Sequence, residues 1–344
     1  MQFLGPSQAT HSSNNKPPMR SSTWVIGIAL LTVAPPSAAQ IYAPGDEGTF
    51  SIIGRDPATG ELGVAVHSKT IAVGSRVRGG KGGVAVFAHQ SSSNPMYSAM
   101  GVELLESGMS PQQALDYMLR ADEGRNSRQV AVLDIQGRTA AWTSPTITDW
   151  KGHTCGVNYC AQGNTLTGPE VVDSMARRFE ASSGPLAERL LDALEAGQRA
   201  GGDRRGMQSA GLMILRPLTI AGFGDRALDL RVDEHKDPFG ELRRILRAVR
   251  SGEVRGEVSR RLAANDLPGA LERAVAARDM SPEIDANWVT LADVHLRAGR
   301  KADALAAIRT AVELNPANRR QLPANRAFES LANDPEFTRI ISGR

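Results

Sequence analysis

The sequence predicts an α+β fold in which two stacked antiparallel sheets are covered by helices, followed by an all-helical region. Three observations lead to this prediction. Strand patterns are grouped between pairs of amphipathic helix patterns instead of alternating with single helices. The sequence contains neither a Gly-x-Gly-x-x-Gly motif opening a helix after a strand nor a phosphate-cradling loop. From about residue 251 the strand patterns stop and helical patterns repeat.

The predicted strands are short apolar runs bounded by turn residues. The first two are joined by Asp56-Pro57-Ala58-Thr59-Gly60 and predict a β-hairpin, and a second hairpin is predicted around Gln136-Gly137. The predicted strands are residues 49–55, 62–68, 83–89, 129–134, 139–143, 159–163, 209–215 and 227–232.

Helices are predicted where apolar residues recur every three or four positions. Prolines mark several first turns, and Ser110 with Gln113 forms a capping-box pattern. Before the repeats, the predicted helices cover residues 96–107, begin at Pro111, Pro169 and Pro185, and cover residues 238–249.

The C-terminal region has the period of a tetratricopeptide repeat. Small residues at matching positions would let paired helices approach closely. The matching residues are Ala270, Ala274, Ala277 and Pro282 and, 34 residues later, Ala304, Ile308, Ala311 and Pro316. We expect residues 251–344 to form tetratricopeptide-like repeats, which either bury a flank of the preceding domain or present a groove to a protein or peptide partner.

The front of the chain reads as an export signal. Arg20 precedes a short apolar core at residues 24–33, and the small residues 37–39 form a cleavage site before Gln40. The core, about ten residues long, is too short to span a bilayer. We therefore expect residues 1–39 to be an N-terminal extension and signal peptide, and the mature protein to be periplasmic or secreted, without a membrane span.

Composition narrows the classes of partner. The chain has 344 residues, 41% of them hydrophobic, which is enough for two domains. Its net charge of +3 comes from scattered basic residues, so we expect no nucleic-acid partner. The two cysteines, Cys155 and Cys160, could form a local disulfide in an oxidising compartment or remain free. Without nearby histidines they would make a poor zinc site.

Gly48-Thr49 is a candidate for a self-contained nucleophile. If the bond before Thr49 is cut, the hydroxyl and a free α-amine lie on one residue, and the amine can take the hydroxyl proton during attack on a carbonyl. An α-amine titrates at about 7.7–8.0, close to neutrality. Signal removal would leave residues 40–48 as a possible propeptide, so a second cut, which could be self-catalysed, is required. The alternative is that Thr49 is an ordinary β-branched strand residue.

A series of motifs, in order along residues 49–249, resembles one family. The motifs are Thr49-Phe50-Ser51-Ile52, Gly63-Val64-Ala65-Val66 with Ser68-Lys69, Gln162-Gly163-Asn164, Gly184-Pro185-Leu186-Ala187-Glu188-Arg189-Leu190-Leu191, Gly201-Gly202-Asp203-Arg204-Arg205-Gly206 with Gln208-Ser209, and Asp229-Leu230-Arg231-Val232-Asp233 with His235 and Asp237-Pro238. The sequence thereby resembles the bacterial and archaeal family known as domain of unknown function 1028, placed among the N-terminal nucleophile hydrolases.

The resemblance implies a four-layer αββα fold over residues 49–250 and hydrolysis of an amide bond, with a suggested link to cell-wall peptide metabolism. A looser similarity is to proteasome β-subunits, which mature at a Gly-Thr bond. The acidic residue that precedes the strand-end serine in those proteins is His67 here, which places their charge relay in doubt.

Three residues are predicted to be catalytic. Thr49 would be the nucleophile, and Lys69, at the end of the partner strand, would depress the pKa of its amine, although a solvated lysine is an equal alternative. Asn164 would donate to the oxyanion, unless it is a turn asparagine.

Five residues are predicted to bind substrate: His89, Gln90 and Asn94 after the third strand, and Asp203 and Arg204 in Gly-Gly-Asp-Arg-Arg-Gly. The alternatives are a polar loop and an ion-paired turn. Asp233, His235 and Asp237 suggest a metal site, but Asp237-Pro238 is also a good helix start. We favour the helix start and expect neither a metal nor a cofactor.

The predicted function is an exported amide-bond hydrolase with an N-terminal threonine nucleophile, acting on a small amide or peptide. The alternative is a non-catalytic binding module whose helical tail recruits a protein or peptide partner.

Overall fold

The computed structural model describes residues 48–147, 149–217 and 224–343, which form a mixed α/β protein with antiparallel sheets and a C-terminal helical region. The predicted signal peptide and residues 40–47 lie outside these residues. Within the described ranges, none of the helices combines the length and apolar character needed to cross a membrane.

The strands are β1 Thr49–Arg55, β2 Leu62–Ser68, β3 Arg78–Lys81, β4 Ala85–Ser91, β5 Arg128–Asp134, β6 Thr139–Thr143, β7 Trp150–Gly156, β8 Tyr159–Leu166, β9 Ser209–Leu215 and β10 Arg226–Val232. The helices are α1 Met96–Glu106, α2 Pro111–Ala121, α3 Glu170–Glu180, α4 Leu186–Arg199, α5 Pro238–Ala263, α6 Leu267–Met280, α7 Asp285–Arg297, α8 Lys301–Leu314, α9 Asn318–Gln321 and α10 Pro335–Ser342. Short 3₁₀ turns cover Val73–Ser75, Arg125–Ser127, Leu322–Ala324 and Arg326–Leu331.

The described strands form two antiparallel sheets. The larger has six strands in the order β10-β9-β2-β1-β8-β7, and the smaller has four in the order β3-β4-β5-β6. β1 lies inside the larger sheet between β2 and β8, so Thr49 is opposite Ser68 on one side and Asn164 on the other. The first residue of β1 therefore has the last residue of β2 on one side and, on the other, a residue close to the end of β8.

Alternation along β1 gives its two faces different neighbours. Ile53 packs in a cluster with Val86 and Ala131 of the smaller sheet. Phe50 and Ile52 belong to a second cluster with residues of α3, α4 and α5. Thr49 and Ser51 alternate with Phe50 and share the face of Ile53, so their side chains lie on the side of the smaller sheet.

Helices α1 and α2 cover the smaller sheet. Phe87 and Val132 pack with Leu115 and Met118 of α2, and all four are buried. The predicted capping box at the start of α2 is confirmed, because the Ser110 side chain accepts from the backbone of Gln113 and the Gln113 side chain accepts from the backbone of Ser110.

Two strands were not predicted from the sequence, β3 and β7. Each lies at the edge of its sheet. β3 reads Arg-Gly-Gly-Lys, and β7 is partly exposed along its length. Edge strands need less apolar surface than central ones, so their sequences carry a weaker strand pattern.

The cysteine pair is bonded. Cys155 and Cys160 are directly opposite in the hairpin formed by β7 and β8, and a disulfide joins them. Of the two states that the sequence left open, the structure has the disulfide.

Helix α5 is longer than predicted. The expected end was Val249, but the helix continues to Ala263. Phe239 and Leu246 in its first half pack against the larger sheet, whereas Val258 packs with Leu291 of α7. These contacts on both halves sustain the helix through Gly252 and Gly256, whose intrinsic helix propensity is low.

The C-terminal helices bury the positions that showed the sequence period. Ala270, Ala274 and Ala277 of α6 and Ala304, Ile308 and Ala311 of α8 all have zero exposure. Small residues at buried positions are consistent with close helix packing. The tetratricopeptide assignment itself stays a prediction.

Candidate functional site

Thr49 begins β1 and is almost completely buried, with 3% exposure. Its hydroxyl donates to Ser68 Oγ at 3.1 Å. The structure is that of the uncut chain, in which Gly48 precedes Thr49 and the nitrogen of Thr49 is an amide. The nucleophile predicted from the sequence therefore lies beside the bond that would have to be cut to release its amine.

The carbonyl oxygen of Gly48 receives two side-chain donors. Ser68 Oγ donates to it at 2.5 Å and Arg205 Nη2 donates at 2.7 Å. The Ser68 hydroxyl is also 3.0 Å from Thr70 Oγ1, so its single proton can serve either acceptor. Donors on a carbonyl oxygen withdraw electron density from the carbonyl carbon and stabilise negative charge that develops during attack.

Arg205 is held in place by Asp203. Arg205 Nη2 is 2.8 Å from Asp203 Oδ2, and its Nε donates to Oδ1 at 3.1 Å. The Asp203 side chain has zero exposure, and its oxygens also accept from the backbone nitrogens of Arg205 and Lys69. A paired and fully hydrogen-bonded carboxylate fixes the direction of the guanidinium.

A layer of buried amide side chains lies behind Thr49. Gln90 Nε2 donates to the Thr49 carbonyl at 2.9 Å, and Gln90 Oε1 accepts from Ser51 Oγ at 2.6 Å. Gln129 Oε1 accepts from Gln90 at 2.8 Å and from Asn164 at 2.9 Å. These residues come from β1 and β8 of the larger sheet and from β4 and β5 of the smaller one, so the layer ties the two sheets together beside the nucleophile.

Asn164, the predicted oxyanion donor, belongs to this layer of buried amides. Its Nδ2 donates to Gln129, while the carbonyl of Gly48 is served by Ser68 and Arg205. Its Oδ1 is buried and has no hydrogen-bond partner among the described residues. Asn164 thus adjoins Thr49 in register, but its role as oxyanion donor stays a prediction.

The side chains of Lys69 and Arg204 make their polar contacts with residues other than Thr49. The Lys69 ammonium donates to the carbonyl of Met207 at 3.1 Å, and the side chain is exposed. Arg204 forms an exposed ion pair with Asp149. The loop therefore directs its second arginine, Arg205, toward the strand ends, whereas the sequence favoured its first.

His89 and Gln90 are neighbours in β4 and point to opposite faces of the sheet. His89 bonds Ser93 Oγ at 2.9 Å and Ser98 Oγ at 3.1 Å, and burial lowers its pKa to about 4. Asn94 accepts from the backbone of Met96 at the start of α1. Of these three predicted residues, the structure brings only Gln90 into contact with Thr49.

His67 is buried between aromatic rings on the other face of β2. Its ring centroid is 4.9 Å from that of Phe50 and 4.7 Å from that of Phe239 of α5. Burial lowers its pKa to about 3, and neither ring nitrogen has a hydrogen-bond partner in the described part of the chain. His67 is therefore neutral at pH 7 and packs as a core residue.

The acidic segment before α5 serves as a helix start. Asp237 Oδ1 accepts from the backbone nitrogen of Gly240 at 3.0 Å, as expected for an N-cap. In residues 48–147, 149–217 and 224–343 no cluster of three or more potential metal ligands is found.

Ser68, Arg205 and Gln129 are the contributors that the sequence analysis did not single out. Ser68 and Arg205 lie within the family-like motifs, but each is adjacent to a polar residue that was chosen instead. Lys69 was chosen beside Ser68, and Arg204 beside Arg205. Gln129 is the second residue of β5, and no such motif surrounds it. Its hydrogen bonds to the larger sheet, with Asn164 and with the carbonyl of Gly163, join residues far apart in sequence, so local patterns carry no signal for it.

The part of the chain that contains this site is similar to known proteins. Residues 49–242 match the profile of a family described as "Family of unknown function (DUF1028)". A crystal structure of a DUF1028 protein from Silicibacter pomeroyi is 32% identical, with a TM-score of 0.53, over 58% of this chain and 84% of that chain. Anbu, an ancestral beta-subunit from Yersinia bercovieri, is 13% identical, with a TM-score of 0.29, over 56% of this chain and 90% of that chain. No curated protein matches.

Proposed function

The chain belongs to the family of unknown function DUF1028, and from this premise we propose that it is an exported amide-bond hydrolase that cuts its own Gly48–Thr49 bond and then uses Thr49 as an N-terminal nucleophile. One observation carries the proposal. The carbonyl oxygen of the bond to be cut accepts hydrogen bonds from Ser68 and Arg205, and the Thr49 hydroxyl donates a hydrogen bond to Ser68.

Self-cleavage begins when Thr49 Oγ1 attacks the carbonyl carbon of Gly48 and a C–O bond forms. The Thr49 hydroxyl proton passes to Ser68 Oγ, and Ser68 passes its own proton to the carbonyl oxygen. This relay follows the direction of the hydrogen bonds in the structure. Arg205 stabilises the charge that builds on that oxygen during the transfer.

The tetrahedral intermediate then collapses. Its hydroxyl proton is transferred to the nitrogen of Thr49, the C–N bond breaks, and the Gly48 acyl group is left as an ester on Thr49 Oγ1. Water hydrolyses the ester and releases a carboxylate at Gly48. Thr49 now has a free α-amine and a free hydroxyl, the combination that an N-terminal threonine nucleophile requires.

The mature reaction uses the same atoms. Thr49 Oγ1 attacks the carbonyl of a substrate amide, its α-amine accepts the hydroxyl proton and donates it to the leaving amine, and an acyl-enzyme forms. Water attacks the ester, the α-amine takes a proton from that water, and the acid product leaves. Ser68 and Arg205 supply donors to the acyl oxygen.

We further propose a four-layer αββα arrangement for residues 49–250. Support comes from three clusters: one between the two sheets, one between the larger sheet and α3 to α5, and one between the smaller sheet and α1 and α2. The cluster between the two sheets includes Ile53 of β1 but not Thr49 or Ser51, so polar residues surround the Thr49 end of the strand. A catalytic site would have to open at that end.

Export of the protein is a proposal that two features support. The first is the signal-like pattern in residues 1–39. The second is the disulfide between Cys155 and Cys160, because disulfides persist in oxidising compartments.

N-terminal sequencing and intact-mass measurement of the full-length protein test the proposal. We expect a mature chain that begins at Thr49. Thr49→Ala should keep the Gly48–Thr49 bond, whereas Thr49→Ser, which retains a hydroxyl, should cut it. A folded wild-type chain that begins at Gln40 and is never cut at Thr49 would overturn the proposal.

A further inference from the structure

We propose that the mature enzyme acts on amides whose acyl carbon next to the scissile carbonyl carries no L side chain, that is, on glycyl peptides and unbranched acyl amides. The inference rests on the proposed function and names its substrate class. It follows from the way in which Asp203 meets the α-carbon of Gly48.

The α-carbon of Gly48 lies directly against the Asp203 carboxylate. A Cβ added to Gly48 in the L configuration would lie 2.7 Å from Asp203 Oδ2 and 2.8 Å from Oδ1. Both distances are well inside ordinary van der Waals contact. At this position the chain can carry glycine only, unless the carboxylate moves.

The carboxylate is not free to move. It accepts from the Nε, Nη2 and backbone nitrogen of Arg205 and from the backbone nitrogen of Lys69, and the side chain has zero exposure. Displacing it would break hydrogen bonds to a buried charge, which costs more than breaking the same bonds at the surface. Asp203 is therefore a fixed wall on one side of the acyl α-carbon.

Self-cleavage makes this wall relevant to substrates. The ester formed when Thr49 attacks Gly48 is chemically an acyl-enzyme, and its acyl group is the segment that ends in Gly48. A substrate acyl-enzyme has the same ester on the same oxygen, with its carbonyl toward the same donors, Ser68 and Arg205. Its α-carbon then takes the place of the Gly48 α-carbon, beside Asp203.

The test compares two matched fluorogenic amides, N-acetyl-glycyl-aminomethylcoumarin and N-acetyl-L-alanyl-aminomethylcoumarin, with the self-cleaved wild-type protein. We expect kcat/KM for the alanyl amide to be lower by about 10- to 200-fold, the range that one misplaced carbon group produces in a shaped site. Equal kcat/KM values for the two amides would overturn the inference while leaving the proposed function intact.

Two substitutions at the wall provide the control. Asp203→Ala removes the carboxylate and should narrow the glycyl-to-alanyl ratio to about threefold or less, because the added carbon then has room. Asp203→Asn has nearly the same size and should keep the ratio. Both substitutions weaken the grip on Arg205 and lower absolute rates, so the ratio within each variant is the quantity compared. A wide ratio in Asp203→Ala would contradict the assignment of the wall.

Self-cleavage itself gives a second measurement that needs no added substrate. Gly48→Ala should slow the cut at Thr49 by a similar factor. In the Asp203→Ala background, Gly48→Ala should slow the cut by a smaller factor than it does in the wild-type protein. Unimpaired cutting in Gly48→Ala overturns the inference. A wild-type chain that neither cuts itself nor hydrolyses either amide overturns the proposed function and the inference together.

Discussion

At the residue scale, the centre of the site is one carbonyl oxygen. The oxygen belongs to the carbonyl of Gly48. Ser68 and Arg205 donate hydrogen bonds to it, and the Thr49 hydroxyl donates to Ser68. Asp203 contributes without touching the carbonyl, because it holds Arg205 and limits what can stand at residue 48.

Replacing Arg205 should slow self-cleavage. Arg205→Gln removes a charged donor from the Gly48 carbonyl, and loss of one such donor costs about 10²- to 10³-fold in rate. The rate is measured as loss of the uncut chain by mass spectrometry over time. Arg177→Gln, which removes an exposed arginine paired with Glu170 on α3, is the control and should cut at the wild-type rate. Equal rates in the two variants would show that Arg205 does not act on the bond.

Stability should fall in acid because of buried histidines. Burial lowers the pKa of His67 from 6.5 to about 3 and of His89 from 6.5 to about 4. Below about pH 6.5 the unfolded chain binds protons that the folded chain does not, so the free energy of unfolding decreases as pH falls toward 4. Each histidine contributes about 1.4 kcal/mol per pH unit in that window.

His67→Leu isolates one of the two contributions. The substitution removes ring nitrogens that have no partner among the described residues, so it should leave stability at pH 7 unchanged or raised. Between pH 6 and 4 the slope of stability against pH should be smaller in the variant than in wild type, by up to about 1.4 kcal/mol per pH unit. The measurement is urea unfolding at a series of pH values, and a slope equal to that of wild type would contradict the interpretation.

At the element scale, the site depends on where strands end and helices begin. β1 begins where β2 ends and close to the end of β8, and this places Thr49 between Ser68 and Asn164. Helix α5 supports the opposite face, since its Phe239 packs against His67, the residue before Ser68. The start of α5 is set by Asp237, whose side chain caps the first turn.

Removing the α5 cap should destabilise the protein without changing the site directly. Asp237→Ala deletes the acceptor for the Gly240 nitrogen and should lower the free energy of unfolding by about 1 kcal/mol. Asp237→Asn retains a capping oxygen and should lie close to wild type. Denaturant unfolding of both variants tests the assignment, which would be wrong if Asn were as damaging as Ala.

At the scale of the whole molecule, the described residues form several apolar clusters that join different elements. Three involve the sheets, and two lie among the C-terminal helices. All hydrogen bonds found around Gly48 and Thr49 come from strands and from the loop containing Asp203 and Arg205. The helical tail beyond α5 contributes none of them, so its role in the molecule is separable from the chemistry.

A pair of truncations tests that separation. A chain ending after Ala263 keeps α5 complete and should cut itself within about twofold of the full-length rate, since it retains every contact on the carbonyl. A chain ending after Asp237 loses Phe239, Leu242 and Leu246 from the core cluster and should lose several kcal/mol of stability and with it self-cleavage. Mass spectrometry and thermal unfolding report both outcomes. Normal cutting and stability in the shorter chain would contradict the role assigned to α5.

Much of the architecture could be predicted from local patterns. β1 and β2 have the predicted bounds, and the capping box of α2 and the N-cap of α5 are present, because turns, caps and alternation act over a few residues. The edge strands β3 and β7 were not predicted because their outer sides are not buried by a neighbouring strand. The predicted end of α5 was wrong because the helix packs in two different clusters, and this packing outweighs the low helix propensity of its glycines.

The sequence by itself determined the family, the central hairpin and the threonine that begins it, since these depend on short runs of residues that are adjacent in the chain. Only the tertiary structure decided that Arg205 and not Arg204 faces Gly48, that Ser68 joins Thr49, and that Gln129 links the sheets. Neighbouring loop residues have no fixed alternation, so the directions of Arg205 and Arg204 depend on partners that are distant in sequence, Gly48 and Asp149. Contacts of that kind exist only after the chain has folded.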